Sequence, residues 1–562
     1  MDWTRKIRLG DVLINNNVIS QKQLEQALVF QKESGKKLGE VLVDEGFATE
    51  EAIADALARQ MNLEIIDLQN VAVDPDIVSL VPVNVLKRNI VFPFAYVQDR
   101  PNVIRVAMAD PIDMNAQDDI SIITNCQVEA VVATTRSIML AIDKYCGQDE
   151  VDSALEAYAK EKNFAVEEED LAVENINSSP IVMLVREMID KAVRQRASDI
   201  HIEPMERRVR VRYRIDGALY ERARYDIKLL AAMVARIKII GGMDIAEKRK
   251  PQDGRITQVV DRTEYDIRVS VLPTVYGEKV VMRLASKTAL TREKSQLGLK
   301  PRDLEKFDYI LKNPHGILLV TGPTGSGKST TLYTALNELN KENVNIITVE
   351  DPVEANLDGV NQVQVHPKAD LTFASALRSI LRQDPDIIMI GEIRDRETAS
   401  IAVQASITGH LVVSTLHTNS AASTITRLGD MGIEPYLIAD SVIGVIAQRL
   451  VRRLCPHCKK SRLATAAEKE FMGCRQEEDV TIYEPCGCNR CDQTGYKGRT
   501  GVYEIMQMTP KLKEIISKQL GAEAIKEQAL KEGMHTLRMS ATEYVLDGTT
   551  SFDEMIKVSF DI

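Results

Sequence analysis

Apolar positions along the chain follow two different periods, and the change of period divides it into parts. Between residues 316 and 450, short apolar runs (GILLVT, NIITVE, DIIMI, HLVVSTL) alternate with stretches of helical spacing. Continuous apolar runs of strand length suit parallel strands covered on both faces, so this stretch predicts a doubly wound, mostly parallel α/β sheet. Upstream, after the helical IVMLVREMIDKAVRQRA, the segments RRVRVRYRIDGALYE, RITQVVDRTEYDIRVSVLP and EKVVMRLAS alternate apolar with polar residues. A period of two predicts an antiparallel sheet with one solvated face. In YDIRVSV that pattern turns Ile267, Val269 and Val271 inward and Asp266, Arg268 and Ser270 outward. Residues 61–146 mix the strand-like NVIRVAMA and CQVEAVVA with helical runs, as in a small α/β domain.

The first sixty residues contain a repeat: residues 8–31 align without gaps on residues 37–60. Leu9, Gly10, Leu13, Leu28 and Gln31 match Leu38, Gly39, Leu42, Leu57 and Gln60. Each copy predicts a short helix, a turn near Asn17 or Gly46, and a second helix N-capped by Ser20 or Thr49. Residues 147–176 are acidic and poor in large apolar clusters, the composition of a mobile linker. The expected domains are therefore 1–60, 61–146, 177–295 beyond that linker, and 296–562, with a cysteine-rich insert at 452–500 and a helical tail. The fold class is multi-domain α/β: a P-loop core preceded by an α/β domain with an antiparallel sheet and a helical to α+β N-terminal region.

Composition narrows the function. A chain of 562 residues, 44% hydrophobic and 27% charged, is ordinary for globular protein. A net charge of -11 disfavours a broad grip on nucleic acid. No apolar run approaches the roughly 20 residues of a membrane-spanning helix, and the N-terminus lacks a signal-peptide core. A cytoplasmic protein, at most peripheral to a membrane, is expected. Most of the eight cysteines crowd between Cys455 and Cys491, which in a reducing compartment suggests a metal site before disulfides.

The chemistry gathers around GILLVTGPTGSGKSTTLYTAL, in which Gly322, Pro323, Thr324, Gly325, Ser326, Gly327, Lys328 and Ser329 form G-x-x-x-x-G-K-S, followed by Thr330. An apolar strand before it and a helix after it mark a phosphate-binding P-loop. Glycines let backbone N–H groups turn inward at the positive end of the helix. Lys328 is expected on the β/γ-phosphates of ATP and Ser329 on Mg²⁺. NIITVEDPVE ends in Glu350, Asp351 and Glu354; DIIMIGEIRD carries Glu392 where an Asp usually stands; HLVVSTLHTN ends in His417 and Asn419. In an open parallel sheet, ligands gather at the carboxyl ends of strands, so these groups are expected to share one crevice. His417 is a candidate γ-phosphate sensor, whereas His410, at the start of its strand, is expected to be structural.

CPHC and CNRC place Cys455, Cys458, Cys488 and Cys491 in two Cys-x-x-Cys knuckles 29 residues apart. That spacing predicts a Cys₄ zinc site, structural because four thiolates leave no open position. Cys486 is a spare thiol nearby.

The P-loop, ITVEDPVE, IIMIGEIRD and HLVVSTLHTN, together with SDIHIEP, QDGR, GYKGRTGVYEI and GMHTL, resemble the secretion-ATPase superfamily, in particular the type II secretion and type IV pilus assembly ATPases. The resemblance implies a homo-hexameric motor partnered by an inner-membrane platform protein, which extrudes pilins. It implies Glu354 as the base that orients water and Glu392 near Mg²⁺, with Glu350 or Asp351 able to share these roles. It places Arg268 and Arg283 against bound nucleotide when the preceding domain closes, with Arg255 a further nearby cation. Exposed arginines on a sheet are otherwise ordinary solvated surface. The tetracysteine motif is similar to that of assembly rather than retraction ATPases. The N-terminal repeat resembles the MshEN module, which implies cyclic di-GMP binding through Arg8, Leu9, Gly10 and Gln31, then Lys37, Leu38, Gly39 and Gln60. Lys37 for Arg and Asn17 for Gly depart from that pattern, and a ligand-free docking module is the other reading. A type II secretion motor is the near alternative. A RecA-like nucleic-acid translocase, or a nucleotide-binding adaptor without turnover, is the remote one.

Overall fold

The computed structural model describes residues 9–559 apart from 17, 35–36, 62, 69–70, 98–99, 147–179, 262 and 287–292. The linker expected over 147–176, together with Arg8 and Asn17 of the first repeat, lies outside the described residues. The chain divides into two compact units, residues 1–284 and 285–562.

In the first unit the repeat forms four helices, Leu9–Asn15, Gln21–Ser34, Leu38–Asp44 and Glu50–Met61. Both expected caps are made: the Gln23 N–H donates to Ser20 Oγ at 3.3 Å and the Ala52 N–H to Thr49 Oγ1 at 3.2 Å. The equivalent residues Leu13 and Leu42, Leu24 and Ile53, and Ala27 and Ala56 share one core. Gly10 and Gly39 permit the close approach, since a Cβ there would stand 2.8 Å from the Leu24 methyls and 3.1 Å from Ile53. The symmetry fails at Leu28, which is exposed while Leu57 is buried. The fourth helix has an additional neighbour, Val132 of the following sheet, against Ala54 and Ala58.

That sheet comprises β1 (Val91–Val97), β2 (Arg100–Met108) and β3 (Gln127–Val132), with β2 antiparallel to β1 and parallel to β3. Six further strands, β4 (Ala197–Pro204), β5 (Arg208–Ile215), β6 (Ala218–Asp226), β7 (Gln252–Val260), β8 (Thr263–Thr274) and β9 (Gly277–Ser286), form a second sheet in the order β6-β5-β4-β9-β8-β7. Helices Pro180–Arg194 and Leu230–Ile240 bury its apolar face, which includes Ile200, Ile202, Ile267, Val269 and Val271. Asp266 departs from expectation. It lies on the polar face but is 7% exposed, because Arg255 on the neighbouring strand covers its carboxylate with a two-nitrogen clamp. Arg194, at the end of its helix, holds Asp143 and Asp261 at 3.1 Å each and so ties the three-stranded part to the six-stranded one.

The second unit is built on β10 (Gly316–Thr321), β11 (Ile346–Glu350), β12 (Asn361–Gln364), β13 (Ile387–Ile390), β14 (Leu411–Leu416), β15 (Val442–Leu454) and a final strand, with the hairpin β16 (Lys460–Leu463) and β17 (Thr481–Glu484) inserted before β18 (Tyr496–Gln507). The seven-stranded sheet has the order β12-β11-β13-β14-β10-β15-β18. Its recorded pairings are parallel except that of β15 with β18. Helices cover both faces over two cores, which is the doubly wound arrangement the apolar runs require. Register sets the strand ends side by side: Thr321 pairs with Leu416, and Ile390 with both Val349 and Ser414. Among the described residues no helix is long and apolar enough to cross a membrane.

Candidate nucleotide site

The loop leaving β10 passes through Gly322 and enters helix Lys328–Leu339 at Gly327. A side chain at Gly322 would run into the Gln448 carbonyl and Ser326 Oγ, and one at Gly327 would come 2.9 Å from Gln448 Nε2. With φ of 151° and 89°, both positions also need a backbone that favours glycine. Pro323, Thr324 and Gly325 form the exposed crest; Ser329 is exposed and Thr330 half-buried at the helix start. Ser326 Oγ is buried inside the loop with no hydrogen-bond partner among the described residues, which fits an anion satisfying it from within the cradle. Lys328 folds onto its own loop, donating to the carbonyls of Gly322 at 2.7 Å and Pro323 at 3.1 Å. Burial pushes its ammonium down to about 8; Glu392 opposes the shift and Arg449 adds to it.

Glu392 follows β13 and is gripped by Arg394, while its other oxygen lies 3.3 Å from His417 Nε2 at the end of β14. Lys328, Glu392 and His417 therefore converge, as the strand-end argument expects. His410 is tied to the Ala405 carbonyl at 2.9 Å and serves its own turn. The carboxylates after β11 separate by environment. Glu350 is 3% exposed and accepts from Tyr333, Thr348 and Gln362, so its lone pairs are committed to holding the helix against the sheet. Tyr333 Oη in turn accepts the Glu354 N–H at 3.2 Å and the Ala355 N–H at 3.4 Å, fixing the turn that carries Glu354. Burial and the Glu350 carboxylate push that phenol well above its ordinary range. Asp351 is exposed and acts on Arg394 through its charge.

The candidate arginines belong to the first unit. Arg268 stands opposite Arg255 in the β7–β8 ladder, and Arg255 is paired with Asp266. Arg283 stands opposite Asp199 and donates to it at 3.1 Å. Their sheet face is laced with ion pairs. Glu203 on β4 is buried, yet Arg212, Arg210 and Lys279 hold its carboxyl down to about 2.

At the end of β15, Cys455, Cys458, Cys488 and Cys491 bring their Sγ atoms within 4.8 Å of one another. Three of the separations are 3.7, 3.8 and 3.9 Å; Zn–S bonds of about 2.3 Å in a tetrahedron give edges of about 3.8 Å. The N–H groups of Cys488 and Gly495 point at Cys491 Sγ, each at 3.2 Å, as suits a thiolate. Cys486 is exposed and outside the cluster. The donor set fits zinc.

Sequence reasoning missed Arg394, Tyr333, Gln448 and Arg449. Arg394 sits inside the quoted IGEIRD. The other signal was the polar QR following the apolar VIGVIA, a break in the apolar run in the middle of β15.

A family model described as type II/IV secretion system protein matches residues 174–557. One for the MshEN domain matches residues 61–152, the α/β segment rather than the repeat before it. The chain is 44% identical over 561 residues to the type IV pilus assembly ATPase PilB of Myxococcus xanthus, covering 98% of each. It is 50% identical over 383 residues to the type II secretion system protein E of Aeromonas hydrophila, covering 68% of this chain and 76% of that one. The ATPase DotB of Legionella pneumophila shares the fold, with a TM-score of 0.53 at 21% identity over 68% of this chain and 96% of that one. The P-loop at the centre of a doubly wound sheet, with these matches across it, shows that the chain belongs to the type II/IV secretion system protein family and is an ATPase.

Proposed function

We propose that the chain is the ATP-hydrolysing, hexameric motor of type IV pilus assembly, working from the cytoplasm on the inner face of the inner membrane against a membrane platform protein and, through it, pilins. The observation that carries this reading is the end-to-end similarity to a pilus assembly ATPase, where the type II relative matches about two thirds of the chain. A type II secretion motor is the second reading, supported by 50% identity over the 383 residues that relative matches.

In the proposed reaction, loop N–H groups and Lys328 hold the ATP phosphates, and Lys328 leaves its two carbonyl partners to do so. Ser329 and Glu392 would hold Mg²⁺, which would supply charge neutralisation on the transferred phosphoryl group. Glu354 takes the proton of the attacking water, and His417 senses the γ-phosphate from beside Glu392. Arg268 and Arg283, with Arg255 beside them, supply the remaining positive charge to the site. The four cysteines hold one structural zinc.

The N-terminal repeat is proposed to bind cyclic di-GMP through its two (Arg or Lys)-Leu-Gly heads, Arg8, Leu9 and Gly10 with Gln31, and Lys37, Leu38 and Gly39 with Gln60. Lys37 is already paired with Asp110, a contact that ligand must replace.

The test is steady-state ATP hydrolysis across protein concentration, wild type beside Glu354→Gln, with cyclic di-GMP titrated in. Turnover should rise with assembly and fall by roughly two orders of magnitude or more in the variant. Concentration-independent turnover that survives the substitution would sink the shared-site mechanism.

A further inference from the structure

β15 lies beside β10, with Ala447 opposite Thr321, the last residue of β10. The next two residues of β15 therefore run on past the end of β10 and meet the P-loop. Gln448 and Arg449 are 2% and 4% exposed and leave the strand on opposite faces of the sheet. Gln448 accepts from Thr331 Oγ1, in the first turn of the P-loop helix, at 2.8 Å. Arg449 donates to the Gln448 carbonyl at 3.1 Å and to Asn419 Oδ1 at 3.1 Å, two residues beyond His417. Its Nη1 would lie 3.2 Å from a Cβ on Gly322. On the next strand, Glu504 accepts the Ala421 N–H at 2.7 Å and so fixes the other end of the same loop.

A buried arginine on a strand usually serves packing. Arg449 instead donates to the loop after β14 through Asn419 and to the carbonyl of Gln448, whose side chain holds Thr331 of the P-loop helix, and its Nη1 stands against Gly322 of the P-loop itself. A planar fork with several donors can join two loops in a way that a point charge cannot. We propose that Arg449 is a positioning residue of the ATPase site, tying the loop after His417 to the first turn of the P-loop so that His417 and Lys328 keep one register. The proposal rests on the P-loop being the nucleotide site. The charged groups acting on Lys328 are Arg449, which disfavours its protonation, and Glu392, which favours it.

The experiment uses the full chain as wild type, Arg449→Lys, Arg449→Gln, Asn419→Ala, the Asn419→Ala/Arg449→Lys double variant, and Lys328→Ala. It measures kcat and KM for MgATP, thermal midpoints, and binding of a non-hydrolysable ATP analogue. Arg449→Lys keeps the charge and loses the fork, so kcat should fall roughly tenfold to a hundredfold with KM within about threefold. Asn419→Ala should do the same, and the double variant should add nothing to either. Arg449→Gln, which loses both charge and fork, should lower kcat at least as far as Arg449→Lys. Wild-type kcat in Asn419→Ala, or additive losses in the double variant, would overturn the proposal. So would wild-type kcat in a folded Arg449→Gln chain. Should Arg449→Gln not fold, the Asn419 arm decides alone. Lys328→Ala separates the two levels: if it binds the analogue as wild type does, the P-loop reading itself fails, whatever the Arg449 variants do.

Discussion

Lys328 is buried in the P-loop with its ammonium on two loop carbonyls. Burial holds its ammonium down at about 8 while phosphate is absent, and bound phosphate charge must raise it again. Binding therefore takes up a proton above that value, and affinity for MgATP should fall as pH rises through it, by up to about tenfold per pH unit. Calorimetry in buffers of different ionisation enthalpy would check this; pH-independent affinity between 7 and about 9 would refute it. The places of Lys328 and the four cysteines were legible because short motifs of fixed spacing carry them, whereas Glu392 and His417 were singled out by strand-end position and resemblance. Glu350 and Glu354 were not separable in that way. They stand four residues apart in one strand-end motif, and only Tyr333, from another element, commits the Glu350 side chain to structure while holding the backbone N–H of Glu354.

At the scale of elements, β15 is the most consequential strand, since it carries Gln448 and Arg449 under the P-loop and runs directly into Cys455. The four-cysteine cluster thus sits at the far end of a strand whose middle touches the phosphate loop. Purified protein should contain one zinc per chain. Cys491→Ser should lower that content and the melting temperature together, because the metal's binding free energy contributes to folding of the insert. Zinc-free protein that melts like wild type would contradict a structural role. The helical repeat shows the same economy: Gly10 and Gly39 are demanded by packing against Leu24 and Ile53 whether or not a ligand binds. Their recurrence in the sequence alone was therefore ambiguous between packing and recognition.

Across the whole molecule, the first unit is held together by charge as well as by apolar cores. Arg194 is nearly buried between Asp143 and Asp261, and burial already pushes the Asp143 carboxyl up despite that partner. Arg194→Met should destabilise the unit by about 3–5 kcal/mol, since it strands a buried carboxylate. Adding Asp143→Asn should recover part of the loss. Chemical denaturation of the single and double variants measures both, and an Arg194→Met chain as stable as wild type would show that the bridge is not used. Local composition could not foresee this bridge, because its partners are about fifty and seventy residues away in sequence.

Apolar period, glycine placement and short polar motifs determined which segments become strands, which loop receives phosphate, and which thiols gather. Each of these depends on neighbours within a few residues. Strand order is different, since it is set by the packing of helices over the whole sheet. Only the tertiary structure placed β15 beside β10, brought Arg449 against Asn419, and buried Asp266 under Arg255. Those contacts join residues 11 to 126 positions apart, and no local spacing encodes a pairing that the global packing of the sheet decides.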